Sequence, residues 1–83
     1  MVLDKSATDA SPDVESLCHL WADVLGVQEV RPDDDFFSLG GDSVAIMIML
    51  MRLEETYGTY LEQADIFDAP TPNALLARMT LTP

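Results

Sequence analysis

The sequence is short of basic residues. Four lysines and arginines stand against fifteen aspartates and glutamates, which leaves the 83 residues with a formal net charge of −11. A chain this acidic does not bind nucleic acid or an anionic membrane by charge attraction; it suits partners that present basic patches. Cysteine is almost missing. Cys18 is the only one, so no disulfide can close within the chain, and with the single histidine, His19, it makes no zinc pattern. A reducing, cytoplasmic setting follows as the expectation. The apolar run Val44 to Met51 holds only eight residues, against the roughly 20 that span a bilayer. Residues 1–10 have no apolar stretch behind positive charge, so they read as a disordered leader or linker remnant and not as a signal peptide. The length suits one small domain, expected over residues 11–80 with a frayed tail at 81–83, and leaves no room for a substrate cleft with its own catalytic apparatus.

Hydrophobic residues make up 48% of the chain, ample for a small core, and their spacing is helical. Val14, Leu17, Cys18, Trp21, Val24 and Leu25 recur with one apolar face. Ser11-Pro12 is the expected start of that helix and Gly26 its stop. Cys18 and Trp21 are both expected in the core. A connection of about fifteen residues follows, long enough to expect a function. It holds Val27, Val30, three consecutive aspartates from Asp33 to Asp35, and Phe36-Phe37. A calcium loop starting at Asp33 fails, since Phe37, Ser38 and Val44 fall where a ligand, a glycine and a glutamate are needed. A solvated acidic loop, pinned by its apolar residues, is expected instead.

The second helix is expected from Ser43 to Tyr57, with Gly58 ending it. Ile46, Met49, Leu50, Leu53 and Tyr57 fall on one face, the core stripe. Val44, Met47, Ile48 and Met51 fall on another. A short surface helix needs only one apolar stripe, so the second is a candidate docking face, to which flexible methionines are suited. A short helical turn over Ala64 to Phe67 is expected next. Pro70 ends it, and Thr71-Pro72 opens a last helix through Met79. The fold class is therefore all-α, with the third of four helices short.

The stretch Phe36-Phe37-Ser38-Leu39-Gly40-Gly41-Asp42-Ser43 lies between the long connection and the second helix. The two glycines give the backbone freedom for a sharp turn. Asp42 is a good N-cap. Ser43 then stands at the positive end of the helix dipole, a place that favours a phosphate. This pattern, with Asp35-Phe36-Phe37 before it and an apolar helix after, resembles the phosphopantetheine attachment site of carrier proteins. The Gly-Gly before Asp-Ser resembles peptidyl carriers of nonribosomal peptide synthesis more than fatty-acid carriers. Ile66-Phe67-Asp68-Ala69-Pro70-Thr71-Pro72 also looks like the family's passage from third to fourth helix. The resemblance covers about Val14 to Met79. It departs from the family at Ile48, where such carriers often have a polar residue, and in the methionine content of the second helix.

The resemblance implies a four-helix carrier bundle, monomeric and without catalysis or metal of its own. It implies that Ser43 bears a covalent 4′-phosphopantetheine arm taken from coenzyme A. Gly41, Asp42 and Leu39 would shape the attachment turn, and Val44, Met47 and Met51 would meet partner enzymes. Those partners would be a phosphopantetheinyl transferase, an adenylation or acyl-loading enzyme, and condensation, ketosynthase or tailoring enzymes. An acyl carrier of a polyketide or fatty-acid pathway is the alternative, and an unmodified helical interaction module a remote one. A serine hydrolase is set aside, because Gly41-Asp42-Ser43 lacks the late Asp-x-x-His pair that such enzymes need, and without a base a serine hydroxyl is a weak nucleophile.

Overall fold

The structure is a computed structural model that describes residues 12–81, with the side chains of residues 80 and 81 left aside. The expected leader over residues 1–10, the Ser11 cap and the last two residues lie outside the described part. Among the described residues there are four helices and no strand: α1 (Val14–Leu25), α2 (Ser43–Tyr57), α3 (Gln63–Asp68) and α4 (Pro72–Leu81). Helix α1 packs on α2 and α4, and α3 joins α2 to α4. Helix α4 runs on to Leu81, beyond the expected point of fraying.

The helix ends follow their capping chemistry. Gly26 and Gly58 close α1 and α2 in the left-handed region, at φ of 70° and 69°, which costs a residue without Cβ nothing. Thr71 caps α4 by accepting the Ala74 N–H at 3.0 Å, and Pro72 takes the first helical position, as expected. Helix α1 departs from expectation. Its cap is Asp13, whose carboxylate accepts the Ser16 N–H at 2.8 Å while the Ser16 hydroxyl answers the Asp13 N–H. This reciprocal pair satisfies two end groups at once and outcompetes a start at Ser11-Pro12.

The core joins Leu17, Leu20 and Trp21 of α1 to Ile46, Met49 and Leu53 of α2, with Ile66, Leu75 and Met79 from the last two helices. The indole N–H of Trp21 is buried without a partner among the described residues. Such an orphan costs of order 1–3 kcal/mol, so Trp21 is held for its shape. Three expectations about the core need correction. Leu50 is only half-buried, because it lies about 60° round the helix from Leu53 and so sits on the stripe's edge. Val14 is also half-buried, at the first turn of α1 and outside the main cluster. Cys18 is half-buried at the core's edge; burial, then the charges of Asp34 and Glu15, push its thiol pKa up, which lowers its thiolate fraction.

The connection from Gly26 to Gly41 is pinned where its apolar residues fall. Val30 and Phe36 are buried. Phe36 N–H donates to the Pro70 carbonyl at 2.8 Å, and Asn73 N–H donates to the Pro32 carbonyl at 3.0 Å, so the loop is tied to the start of α4. The three aspartates are not merely solvated. Asp33 accepts from the Asn73 amide at 2.9 Å, Asp34 from the Arg31 N–H at 2.9 Å, and Asp35 from the Phe37 and Ser38 N–H groups at 2.8 and 3.3 Å. Among the described residues no group of three or more His, Cys, Asp or Glu could hold a metal ion.

Helix α3, six residues long, is held by Ile66 in the core and by Arg78 of α4, whose guanidinium meets Asp65 at 2.7 Å and Asp68 at 3.4 Å. The Asp65 carboxyl is held below the usual range by the Glu62 N–H and then by Arg78; Asp13 is lowered by the Ser16 N–H and then its hydroxyl.

Two outcomes follow. Leu53→Ala should cost about 2–5 kcal/mol, whereas Leu50→Ala should cost clearly less; paired thermal melts would show the order. For Asp13 and Asp65 the folded pKa is depressed, so the unfolded chain takes up the proton first as pH falls. Their stabilisation is complete above the unfolded value of about 3.9 and is lost as pH drops through the lower folded one. Melts taken from about pH 6 down to about pH 3 should show a falling melting temperature, with a shallower fall in Asp65→Asn.

Candidate functional site

The turn before α2 is built so that one serine stands clear. Gly40 N–H donates to the Phe37 carbonyl at 3.1 Å and Gly41 N–H to the Phe36 carbonyl at 2.9 Å, which folds the chain back sharply. Gly40 has φ of 104°, which favours glycine. Gly41 has ordinary φ but no room: a Cβ there would press into the Phe36 ring and lie 2.7 Å from its carbonyl oxygen. The two glycines are thus required for different reasons, only the first of them the conformational freedom expected from sequence. Leu39 is half-buried against the core and anchors the turn.

Asp42 caps α2, with extended backbone and a carboxylate that accepts the Ala45 N–H at 2.9 Å. Its carbonyl accepts the Ile46 N–H at 2.9 Å. That leaves the N–H groups of Ser43 and Val44 without partners among the described residues. Ser43 is exposed, in the first position of a 15-residue helix. A hydroxyl beside two open amides, at the positive end of a helix, fits a phosphodiester.

The flank of α2 below the serine is apolar and open. Val44, Met47 and Met51 are 66%, 58% and 60% exposed, and Ile48 is 41% exposed. Met51 therefore does not pack away against α3. Met47, Leu50 and Met51 form one wall of a groove whose other wall is Tyr60, Leu61 and Gln63. The sequence reading did not single out Phe67, which is 56% exposed and stacks on Phe37 with ring centroids 5.2 Å apart. Its place after Ile66 in a six-residue helix was the available signal: neighbouring positions point about 100° apart, so with Ile66 in the core Phe67 turns toward the rim. His19 lines a groove between α1 and the later turns of α2, beside Arg52 and Tyr57, and is not brought to Ser43.

The phosphopantetheine attachment site family matches residues 15–79. The chain belongs to that family. Its cofactor is covalent 4′-phosphopantetheine, and its four-helix fold is that of carrier domains. Among individual proteins, the chain is 42% identical over 71 residues to a dimodular nonribosomal peptide synthase of Bacillus subtilis (strain 168), a match that takes in 86% of this chain and 3% of the relative. The carrier domain thus spans a small fraction of that relative's length. It is 35% identical to a solved nonribosomal peptidyl carrier domain, with a TM-score of 0.72 over 82% of this chain and 87% of the other. It is 28% identical, with a TM-score of 0.77 over 82% of this chain and 88% of the other, to a chain in the structure of the phosphopantetheine transferase Sfp with coenzyme A and a peptidyl carrier protein. Among the described residues no helix is long and apolar enough to cross a membrane.

Proposed function

We propose that Ser43 carries the arm and that the domain serves nonribosomal peptide assembly as a peptidyl carrier. The observation that supports this most is the exposed Ser43 hydroxyl at the capped start of α2, beside two open amides, within Leu39-Gly40-Gly41-Asp42-Ser43. In loading, Ser43 Oγ bonds to the phosphorus of the pantetheine half of coenzyme A. The pyrophosphate bond breaks, the nucleotide half leaves, and the serine proton passes to a base on the transferase. Bound, the arm supplies a thiol that holds aminoacyl or acyl groups as thioesters. The domain contributes no catalytic group; it presents the serine and a surface. Asp42 fixes the first turn through its cap and keeps an exposed carboxylate that can face basic groups on the transferase.

The apolar flank gives the domain its partners. Val44, Met47 and Met51 form the stripe that meets, in turn, the transferase, an adenylation enzyme and condensation or tailoring enzymes. The net charge of −11 suits partners with basic rims and a cytoplasmic setting rich in coenzyme A. Tethering on a flexible arm raises the local concentration of cargo at each of them.

Two experiments test this reading. Incubated with coenzyme A and a promiscuous phosphopantetheinyl transferase, the wild type should gain the mass of one phosphopantetheine and Ser43→Ala none. A modified Ser43→Ala, or a wild type that stays unmodified, refutes the assignment. Met47→Glu places a charge in a contact that a partner must desolvate, which is costly unless it is paired. It should raise the KM of arm transfer while circular dichroism and melting temperature stay close to wild type. Unfolding of Met47→Glu would make the position structural.

A further inference from the structure

The Phe36 ring is fully buried and held from three sides. It meets the Trp21 ring edge-to-face at 5.8 Å and the Phe37 ring at 5.5 Å, and its own N–H is tied to the Pro70 carbonyl at 2.8 Å. Its carbonyl accepts the Gly41 N–H at 2.9 Å, and its ring occupies the space that a Cβ on Gly41 would need. Gly41 stands two residues before Ser43, separated only by the cap Asp42. We propose that Phe36 and Gly41 are an interlocked pair of positioning residues, and that their close contact sets where Ser43 stands on the bundle for arm transfer.

The proposal rests on Ser43 as the attachment residue and adds to that reading. Phe36 connects α1 and the start of α4 to the turn, so the serine is referenced to the whole bundle and not to α2 alone. The docking stripe on α2 is separate from this contact. Substitution of the pair therefore affects presentation of the hydroxyl, while Met47 affects binding of the enzyme. The two should divide between kcat and KM.

The test uses the full chain with coenzyme A and the same transferase, well below the melting temperature of every variant. Gly41→Ala should lower kcat by about tenfold or more, since small misplacements of a reacting group are costly, and leave KM within about twofold. Adding Phe36→Val removes the ring's share of the clash, though not the carbonyl contact at 2.7 Å, and should recover part of the lost kcat. Leu53→Ala, near the other end of α2, should lose stability but keep wild-type kcat, which separates positioning from folding. Should Gly41→Ala fail to fold, Phe36→Leu alone carries the test, because it loosens the contact without adding an atom to Gly41 and should lower kcat. Wild-type kcat in folded Gly41→Ala, or in Phe36→Leu where Gly41→Ala does not fold, would overturn the proposal. So would purely additive losses in the double variant. A wild type that takes no arm would instead overturn the assignment of Ser43.

Discussion

The burial of Phe36 is the contact on which the serine end of the domain depends. A connection as long as that from Gly26 to Gly41 loses about 1–2 kcal/mol of backbone entropy for each residue it orders. Few apolar residues are available to offset that loss. Val30 enters the core, Val27 and Leu39 pack on its edge, and Phe36 goes fully inside. Phe36 alone combines a ring in the core with both backbone groups engaged, to Pro70 on one side and Gly41 on the other. The loop therefore closes through the middle of the bundle. The carboxylates of Asp33, Asp34 and Asp35 then satisfy backbone and amide donors that closure would otherwise leave exposed or unpaired.

Helix α2 buries one of its two apolar stripes and leaves the other open to solvent. Ile46, Met49 and Leu53 are fully buried and hold the bundle; Val44, Met47 and Met51 stay more than half exposed, outside the core cluster. Apolar area left in water forgoes about 25 cal/mol per Å2. A partner that covers the stripe recovers that free energy on binding. Methionine adapts its shape to differently contoured surfaces, which would suit the succession of enzymes proposed above. The groove that Met47 and Met51 share with Tyr60 and Leu61 widens that surface toward α3.

What could be read from the sequence was local chemistry with few alternatives. A glycine after an apolar helix, as at Gly26 and Gly58, has one main use, and both adopt it. Asp42 and Thr71 act as caps for the same reason. The start of α1 was harder, because the candidate caps Ser11 and Asp13 stand only two residues apart, and the reciprocal bonds of Asp13 and Ser16 favour the second. Helix faces were read to within one position: the stripe was placed correctly, but its centre lies nearer Met49 than Leu50. The roles of Asp33 and Gly41 were not legible. Asp33 meets Asn73, forty residues away in sequence, and the need for glycine at position 41 arises from the final placement of the Phe36 ring. Both depend on tertiary contacts that no local pattern encodes.

Ser43 itself carries the last step. Its side chain makes no hydrogen bond to a described residue, fills no space in the core and lies exposed after a cap that is already satisfied by Asp42. Nothing in the folding of α2 calls for a hydroxyl there. Alanine has the higher helix propensity, and a carboxylate would complement the dipole better at a first helical position. A serine that the fold does not need, on a turn tied to Phe36 and Gly41, is what the proposed attachment at its oxygen calls for. The same reasoning distinguishes the carrier reading from that of an unmodified helical module. Such a module would need the core and could use the open stripe, but would have no use for an exposed, unpartnered hydroxyl beside two open amides.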